Sequence, residues 1–325
     1  MSESAIFDQC ARLDEDHHLE VVTVSGSDSE SFLQRLISCD LNKVTDEVGC
    51  RGTLLGGKGR ILAFFDVYRR AERFHLIVDT ALAGVLRARL DRLVILEDLL
   101  IESGEFAVIS LQGPTSGAVI EQLDGDLPGS FLHCKPWRDG WIASRRRSPV
   151  AGFELMIPPQ QLAPVEQQLE LLGVSRCRAE DAERARIEGG FPRFGQDITD
   201  RSLPPEVGLE DSISYDKGCY SGQEVLARIR TYGHVNRQLR SIHLELPEGI
   251  DSASVAPGDP LERVDDEGKS PGIITSVAQC PGGFTLLASV KKTHIEVGTS
   301  LRWQGTSGAG SSLTMIGKVQ LPFHP

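Results

Sequence analysis

The alternation of apolar and polar positions divides the chain into strand-like and helix-like stretches. Residues 19–24 alternate and are rich in β-branched side chains, which predicts a strand, and residues 25–28 supply turn formers and a helix cap. From Ser29 the apolar side chains recur at helical spacing, at Phe32, Leu33, Leu36 and Ile37. A strand that runs into a capped helix is the opening of an α+β unit.

Residues 50–68 predict a β-hairpin whose turn is Gly56-Gly57-Lys58-Gly59. This turn resembles a phosphate-binding loop only superficially, because that loop requires G-x-x-x-x-G-K-[ST] followed by a helix, and here an apolar strand follows. A strand over 74–78 and an amphipathic helix over 81–96 complete the first pass. Residues 106–173 repeat a similar order of strands and helices without detectable sequence identity, which predicts two α+β lobes.

The rest of the chain predicts a helix, a long irregular segment and a small all-β domain. Residues 179–187 favour a helix, whereas 191–216 contain prolines and little apolar periodicity. Because this irregular segment leads into Cys219, we interpret it as functional. Short strands between Gly and Pro turns then predict an antiparallel barrel or sandwich. We therefore expect an α+β fold, with two intertwined ferredoxin-like lobes over 1–240 and a β-barrel domain over 241–325.

Composition narrows the class of protein. A net charge of −12 over 325 residues argues against a protein that mainly grips a nucleic-acid backbone. No apolar run is long enough to cross a bilayer and no charged-then-apolar leader is present, so we expect a cytoplasmic protein without membrane contact. Seven cysteines without a C-x-x-C pair exclude a dense disulfide framework and the zinc ribbons, and predict reduced thiols and no metal site.

The stretch 216–230, Asp-Lys-Gly-Cys-Tyr-Ser-Gly-Gln-Glu-Val-Leu-Ala-Arg-Ile-Arg, concentrates the candidate chemistry. Gly218 and Gly222 allow positive φ or a close backbone approach, and a helix is predicted from Gln223. Cys219 would then lie near a helix start and beside Lys217, two features that favour a thiolate acting as a nucleophile, a redox thiol or a metal ligand. The alternative is a small buried apolar residue, the commonest state of a free cysteine.

Two basic clusters interrupt the acidic background. For Arg145-Arg146-Arg147 the favoured interpretation is solvated side chains on a loop or a helix face. The second cluster follows the cysteine motif, and it offers guanidinium groups to an anionic ligand, such as the glutamate tail of a cofactor, or forms a solvated helix face. Its members are Arg228, Arg230, His234, Arg237 and Arg240.

The octet Lys217-Gly218-Cys219-Tyr220-x-Gly222-Gln223-Glu224 resembles the K-G-C-Y-x-G-Q-E signature of the YgfZ family, which is related to the folate-dependent glycine-cleavage T-protein, an aminomethyltransferase. Segments 186–192, 203–206 and 272–276 look like stretches of both branches. The resemblance implies a three-domain, ring-like arrangement around a central tetrahydrofolate site. It also implies a role in iron–sulfur cluster assembly, with iron–sulfur client or assembly proteins as partners.

One departure separates the two branches. The T-protein carries a catalytic aspartate in a G-G-I-L-D-D-L strand, and the matching acidic positions here are Ala63 and Phe64. Asp66 lies too far along the strand to replace it. Without that carboxylate the group that handles the reacting folate nitrogen is missing, so aminomethyl transfer is disfavoured.

On the cofactor side, Gly152-Phe153-Glu154 matches the T-protein's G-[FY]-E, whose carboxylate is suited to accept hydrogen bonds from the pterin N–H edge. The alternative for Glu154 is a glutamate on the solvent side of a strand. Further folate contacts are expected from Gln223, Glu224 and Arg228, the last of which suits the glutamate carboxylates.

The sequence leaves three functions open. The first is a folate-binding protein that assists assembly or repair of iron–sulfur clusters, with Cys219 and Lys217 at the reacting site. The second is a tetrahydrofolate-dependent one-carbon transferase of the aminomethyl type, for example one that acts in tRNA modification. The third is a scaffold whose folate pocket no longer binds its ligand.

Overall fold

The computed structural model describes residues 5–13, 19–250, 252–264, 270–308 and 310–322. Within these ranges the helices are α1 Ala5–Asp8, α2 Ser29–Leu36, α3 Thr80–Asp91, α4 Ser116–Gln122, α5 Leu162–Leu171, α6 Ala179–Glu188 and α7 Gln223–Tyr232. The strands are β1 Ala11–Leu13, β2 Leu19–Ser25, β3 Cys50–Leu55, β4 Ile61–Arg70, β5 Arg73–Asp79, β6 Leu100–Ser103, β7 Ala107–Gln112, β8 Cys134–Trp137, β9 Gly140–Ser144, β10 Gly152–Ile157, β11 Ser175–Arg176, β12 Arg237–Glu245, β13 Pro260–Arg263, β14 Gly272–Cys280, β15 Gly283–Lys291, β16 Ser300–Thr306 and β17 Ser312–Gln320.

The chain separates into two compact units, and the irregular segment before the cysteine motif is shared between them. Unit 1 comprises Met1–Ala179 and Glu210–Tyr232, and unit 2 comprises Glu180–Leu209 and Gly233–Pro325. The octet and the helix α7 therefore belong to unit 1, although they follow a part of unit 2 in the sequence. The domain boundary at 240/241 that the sequence suggests stays a prediction.

Unit 1 contains two sheets, each covered by helices on one face. One sheet has the strand order β3-β4-β5-β2-β6 and packs against α3, whose Leu82, Leu86 and Leu90 are buried. The other has the order β11-β1-β7-β10-β9-β8, and its outer face forms a core with apolar residues of α4 and α5. The two α+β lobes predicted from the sequence correspond to these two sheet-and-helix layers.

Side chains from the facing surfaces of the two sheets pack together in one layer. Its apolar part joins Tyr68 of β4 and Ile77 of β5 to Trp141 of β9 and Met156 of β10. Because side chains alternate along a strand, Asp66 lies on the same face of β4 as Tyr68, and Glu154 lies on the same face of β10 as Met156. Two carboxylates are thus placed in the layer between the sheets.

Unit 2 contains a closed six-stranded barrel with the order β12-β15-β14-β13-β16-β17, all in antiparallel pairing. Its interior is apolar and includes Trp303, which is almost fully buried and donates its indole N–H to Asp259 Oδ2 at 2.8 Å. The sequence predicted a barrel or a sandwich, and the structure is a barrel. The predicted α+β fold with a C-terminal β-barrel is confirmed.

The helix predicted over 81–96 ends earlier than its apolar spacing suggested, at Asp91. The carboxylate of Glu97 accepts the backbone N–H groups of Ile95 and Leu96, at 2.8 and 3.1 Å. These N–H groups are those a longer helix would bond to its own carbonyls. The side chains of Ile95 and Leu96 are largely exposed, so no packing favours the longer helix.

None of the helices in the described ranges combines the length and the apolar character that a bilayer crossing requires.

Candidate functional site

The octet forms a loop that packs against the turn between β3 and β4. Gly222 has a φ of +82°, and a Cβ there would lie 2.8 Å from the carbonyl oxygen of Gly56 and 2.9 Å from the Cα of Gly59. Any larger residue would collide with backbone, so this glycine is required by the close approach. Gly218 differs, because a Cβ there would meet open space. The prediction of a close approach holds for the second glycine and not for the first.

Lys217 fastens the loop to the end of α2. Its ammonium donates to Gln34 Oε1 at 3.2 Å and to the carbonyl oxygens of Ile37 and Cys39 at 2.9 and 2.5 Å. These three bonds use the three donors of an ammonium group. Burial lowers the pKa of Lys217, against the opposing influence of Cys39, Asp40 and Cys50. The catalytic role expected for Lys217 stays a prediction, and the contacts observed here are those of an anchor.

Cys219 projects from this loop and is exposed. The alternative of a small buried apolar residue is therefore wrong. Its neighbour Tyr220 is the buried residue of the pair: its hydroxyl donates to the carbonyl oxygen of Ser214 at 3.1 Å, and burial raises its pKa to about 12. The loop thus buries the phenol and presents the thiol.

The helix α7 begins at Gln223, where the sequence predicts it, and buries a single side chain, Leu226. Glu224 and Arg228 are exposed, and Arg230 lies over the ring of Tyr215 at 4.3 Å. The arginines of this helix remain accessible to an anionic ligand.

Glu154 lies in the layer between the two sheets of unit 1 and is fully buried. Its Oε1 accepts hydrogen bonds from Ser110 Oγ at 3.1 Å and from Arg145 Nη1 at 3.4 Å. Its Oε2 is buried and has no hydrogen-bond partner among the described residues. The alternative of a glutamate on the solvent side of a strand is therefore wrong. A buried carboxylate oxygen without a hydrogen-bond donor destabilises the folded protein. A hydrogen bond from a ligand, or protonation of the carboxylate, removes this cost.

Arg145 connects this carboxylate to a second one. Its Nε donates to Asp66 Oδ2, while Arg51 Nε approaches Asp66 Oδ1 at 3.2 Å and Arg51 Nη1 approaches Asp211 Oδ2 at 3.4 Å. The interpretation of Arg145 as a solvated loop residue is wrong, because its side chain is only 12% exposed. A buried aspartate needs a buried cation, and the first arginine of the run supplies it.

The pKa values of the two carboxyl groups in this cluster, Asp66 and Glu154, are shifted in opposite directions. Burial raises the pKa of Asp66, but attraction to Arg145 and Arg51 outweighs burial and holds that pKa below its ordinary value. Burial also raises the pKa of Glu154, and here Arg145, Arg147 and Ser110 do not compensate, so the pKa stays above its ordinary value. Glu154 is the carboxyl group whose charge the protein leaves incompletely stabilised.

The hydroxyl of Tyr68 and the indole N–H of Trp141 are also buried in this layer, and neither has a hydrogen-bond partner in the part of the chain that the structure describes. The rings of these residues pack with centroids 6.4 Å apart. Beside Glu154, the side-chain amide of Gln112 donates a hydrogen bond to Ser110 Oγ at 3.1 Å. A Cβ at Gly152 would lie 2.0 Å from the amide oxygen of Gln112, which explains why glycine stands two residues before Glu154.

The two positions that the sequence resemblance matches to the catalytic aspartate of the T-protein, Ala63 and Phe64, lie on β4. Ala63 is fully buried, and Phe64 is half-buried. The next carboxylate along this strand, Asp66, is bound by two arginines. No acidic side chain therefore stands at either matching position.

The structure gathers the predicted site residues into two groups within unit 1. One is the exposed loop and helix with Lys217, Cys219, Gln223, Glu224 and Arg228. The other is the buried layer around Glu154, whose polar contacts are Ser110 and Arg145. Among the described residues, no group of three or more His, Cys, Asp or Glu side chains is arranged to hold a metal ion.

Sequence reasoning missed most of the buried layer, whose members beyond Glu154 are Arg51, Asp66, Tyr68, Ser110, Gln112, Trp141 and Arg145. One signal pointed to it: Asp66 interrupts an apolar strand run from Ile61 to Tyr68. A charged residue at such a position is buried only with a partner. That argument finds Asp66, but it does not find which arginine is the partner.

Comparison with known proteins agrees with this architecture. The chain has the fold of the crystal structure of the glycine cleavage system aminomethyltransferase T from Bartonella henselae, with a TM-score of 0.84, over 98% of this chain and 87% of that one, at 21% identity. The GCVT N-terminal domain model matches residues 3–217. The chain belongs to this family, which has YgfZ-like and aminomethyltransferase members.

Individual relatives come from both branches. An aminomethyltransferase of Shouchella clausii is 27% identical over 285 residues, which are 81% of this chain and 73% of the relative. The tRNA-modifying protein YgfZ of Aliivibrio fischeri is 23% identical over 313 residues, which are 93% of this chain and 89% of the relative. Overall identity therefore does not decide between the two branches, and the residues of the site must.

Proposed function

We propose that this protein binds tetrahydrofolate or a one-carbon derivative and assists the assembly or repair of iron–sulfur clusters, with Cys219 as its functional thiol. The observation that supports folate binding best is the buried, unpartnered Oε2 of Glu154. The exposure of Cys219 on a loop anchored by Lys217 supports the thiol role.

The residues of the buried layer fit a reduced pterin. The pterin edge presents N–H donors, and a carboxylate oxygen accepts a charge-assisted hydrogen bond from such a donor. Glu154 has Oε2 free for this purpose, while Ser110 and Arg145 hold Oε1 and fix the plane of the group. The ring pair of Tyr68 and Trp141 supplies an aromatic wall in the same layer.

The same contacts define what this chain's residues do on binding. Hydrogen bonds from the ligand favour the charged form of Glu154, and they offset the burial that raises its pKa. Asp66 neutralises Arg145, so that arginine holds Glu154 without adding net charge to the layer. The exposed guanidinium of Arg228 would receive the glutamate end of the ligand, and Gln223 and Glu224 at the start of the same helix are proposed as further folate contacts.

Tetrahydrofolate supplies nitrogen atoms that carry one-carbon units when it is bound. The protein lacks a carboxylate at Ala63 and Phe64 to handle those nitrogens, so we assign the chemistry to the thiol instead. An exposed thiol on an anchored loop is suited to ligate iron transiently, to accept a persulfide or to exchange with a client disulfide.

Titration calorimetry with tetrahydrofolate tests the binding part of the proposal. We expect micromolar binding by the unmodified protein and a loss of about tenfold to a hundredfold in Glu154→Gln, because a hydrogen bond to a charged group is worth about 1.5–3 kcal/mol. The exposed glutamate Glu121 provides the matched control, and Glu121→Gln should bind as the unmodified protein does. No heat at ligand concentrations far above micromolar would remove the folate role.

Activity of cluster-containing enzymes in cells tests the thiol part. We expect Cys219→Ser and Cys219→Ala to lose function while the protein accumulates to normal levels, because an exposed side chain contributes little to folding. Normal cluster enzyme activity with either variant would contradict the assignment of Cys219.

The one-carbon transferase is the second candidate, and the aminomethyltransferase relatives favour it. Turnover of methylene- or aminomethyl-tetrahydrofolate by the pure protein separates it from the first. We expect none, since the positions of the catalytic carboxylate are occupied by Ala63 and Phe64. Restoring an acid with Ala63→Asp tests this reason directly, and activity that appears only in that variant would place the difference between the branches at this position.

A further inference from the structure

The loop between α3 and β6 presents two aliphatic side chains to solvent. Ile95 and Leu96 are 81% and 94% exposed, and three further apolar side chains of the same segment are also exposed: Val85, Leu93 and Leu100. A single exposed apolar residue is ordinary, whereas a concentration of them marks a surface that binds a partner. We call residues 85–100 the α3–β6 surface.

Polar contacts hold the exposed loop in place. The carboxylate of Glu97 accepts the backbone N–H groups of Ile95 and Leu96, and it also accepts a hydrogen bond from the guanidinium of Arg35 at 2.9 Å. The backbone hydrogen bonds lower the pKa of Glu97 to about 2, so this carboxylate is charged near neutral pH. The two aliphatic residues are therefore attached to a fixed backbone.

The loop is fixed at its other end as well. The backbone N–H of Asp98 donates to Asp28 Oδ2 at 2.8 Å, and the Asp98 side chain accepts a hydrogen bond from Ser27 Oγ at 3.0 Å. A Cβ at Gly26 would lie 2.4 Å from the carbonyl oxygen of Asp98, so the turn before α2 packs tightly against the loop. A partner would bind the aliphatic side chains without first ordering the loop, which favours binding.

The α3–β6 surface also carries unpaired positive charge. Three arginines of this segment are exposed: Arg87, Arg89 and Arg92. None of these guanidinium groups has a hydrogen bond, an ion pair or an aromatic contact with another residue in the described ranges. Of the three acids in the segment, two are bonded to Arg35 and Ser27, so Asp91 alone opposes the three arginines. On a chain with a net charge of −12, the sign of the charge is reversed here.

We propose that the α3–β6 surface docks a segment of a partner protein that offers aliphatic side chains to Ile95 and Leu96 and carboxylates to the three arginines. Buried aliphatic anchors provide the affinity of such a contact, and complementary charges at its rim provide specificity and a faster association. The proposal is independent of the folate and iron–sulfur roles, because the surface shares no residue with the octet or with the buried layer around Glu154.

A protein segment is favoured over a lipid surface. Arginines beside aliphatic side chains also occur on proteins that bind anionic membranes, but those proteins bring a wide basic face to the lipid. Here the basic area is small, and the net charge of −12 would repel an anionic bilayer from the rest of the chain. A single acidic and aliphatic segment is small enough to meet the three arginines alone.

Fluorescence anisotropy with a short labelled peptide of leucine and glutamate tests the proposal on the full chain. Two matched peptides replace its glutamates by lysines or its leucines by serines. We expect saturable binding of the leucine–glutamate peptide, weaker at high salt because exposed charges are screened. The other two peptides should bind at least about tenfold more weakly, since each lacks one of the two complementary features.

Variants of the protein locate the binding. Ile95→Ser/Leu96→Ser should weaken binding of the leucine–glutamate peptide by about tenfold or more, because two apolar anchors are lost. Arg89→Glu/Arg92→Glu should weaken it by about twofold to fivefold per residue and should strengthen binding of the leucine–lysine peptide. Leu171→Ser and Lys43→Glu change an exposed leucine and an exposed lysine elsewhere in unit 1, and both should bind as the unmodified protein does.

Two results would overturn the proposal. One is the absence of saturable binding by the leucine–glutamate peptide, or binding that Ile95→Ser/Leu96→Ser leaves unchanged. The other is sedimentation with phosphatidylserine/phosphatidylcholine vesicles that is lost in the same variant while the peptide does not bind, because the surface would then be a membrane contact. All substituted side chains are exposed, so the denaturant midpoints of the variants should match that of the unmodified protein.

Discussion

Unit 1 and unit 2 each bury an arginine with a carboxylate, and the two clusters differ in how completely the carboxylate is bonded. In unit 2, Arg186 Nη1 binds Asp197 Oδ2 at 2.8 Å, and Ser276 donates to Asp197 Oδ1 at 2.8 Å. The backbone N–H of Arg193 adds a bond to Oδ2 at 3.0 Å. Both oxygens of this carboxylate are satisfied by the protein itself.

In unit 1, Arg145 donates to Oε1 of Glu154, and Oε2 has no donor within the described residues. Both carboxylates are at least nine-tenths buried, so solvent does not account for the difference. A saturated cluster has no bonding capacity left for a ligand, and we interpret it as a structural element. An unsaturated one keeps capacity at a cost in stability, which is typical of a binding site.

The largest effect is expected from the saturated cluster. Arg186→Ala leaves Asp197 buried without its cation, and the free energy of unfolding should fall by about 3–5 kcal/mol. Urea unfolding of the full chain measures it. Arg184 on the same helix pairs with the partly exposed Glu188 at 2.7 Å, and Arg184→Ala should cost less than about 1 kcal/mol. Equal losses of unfolding free energy in the two variants would show that the buried cluster contributes no more to stability than the partly exposed ion pair.

His75 extends the comparison to a buried titratable group that stays neutral instead of forming an ion pair. Burial lowers its pKa to about 4, and Nδ1 lies 3.0 Å from Thr23 Oγ1. The unfolded chain takes up a proton near pH 6.5 and the folded protein only near 4, so stability falls as the pH drops through this window, by about 3 kcal/mol. Urea unfolding between pH 7 and pH 4 should show this loss, and His75→Gln should reduce it by that amount. An unchanged acid slope in the variant would contradict the burial argument.

The variant Glu154→Gln measures how much the buried, unpartnered charge of Glu154 lowers the free energy of unfolding. The pKa of Glu154 is raised in the folded protein, so its contribution to stability is complete below the ordinary value of 4.5 and is lost as the pH rises through the raised pKa. Relative to the unmodified protein, the variant should gain stability as the pH increases from 4.5 towards neutrality. Denaturant midpoints at several pH values measure the difference. A difference that runs the other way would mean that attraction to Arg145 outweighs the cost of burying the charge of Glu154.

The smallest effect on stability is expected at the exposed thiol. Cys219→Ser should change the free energy of unfolding by less than about 0.5 kcal/mol, because the side chain is exposed and the loop is held by Lys217 and Tyr220 instead. Lys217→Met is the contrasting variant, since it removes three hydrogen bonds and should loosen the loop. A large loss in Cys219→Ser would assign that residue a structural role.

Local signals in the sequence were sufficient for the elements that present the thiol. The glycine-rich turn before β4 and the apolar spacing after Gln223 predicted the hairpin and α7, and both are confirmed. These elements depend on residues close in sequence, so periodicity and turn chemistry find them. The length of α3 was not predictable in the same way, because the N–H groups that would continue the helix are bonded by Glu97, six residues past its end.

The buried layer depends on contacts that sequence spacing does not encode. Arg145 and Asp66 are 79 residues apart and meet only because the two sheets of unit 1 face each other. A run of three arginines is most often solvated, and that general expectation misplaced the first of them. The resemblance to the T-protein singled out Glu154 as a candidate pterin contact, which stays a prediction, but it gave no indication that one oxygen of this residue lacks a partner among the described residues.

The most direct test is the number of protons released when tetrahydrofolate binds. Donors from the pterin edge should favour the charged form of Glu154 and lower its raised pKa, so binding slightly above its ordinary pKa should expel protons. Calorimetric titrations in two buffers with different heats of ionisation, at about pH 5.5, measure this release. We predict a release in the unmodified protein that Glu154→Gln lacks, together with weaker binding by the variant. Equal proton release and equal affinity in the two proteins would contradict the assignment of the free oxygen to the ligand.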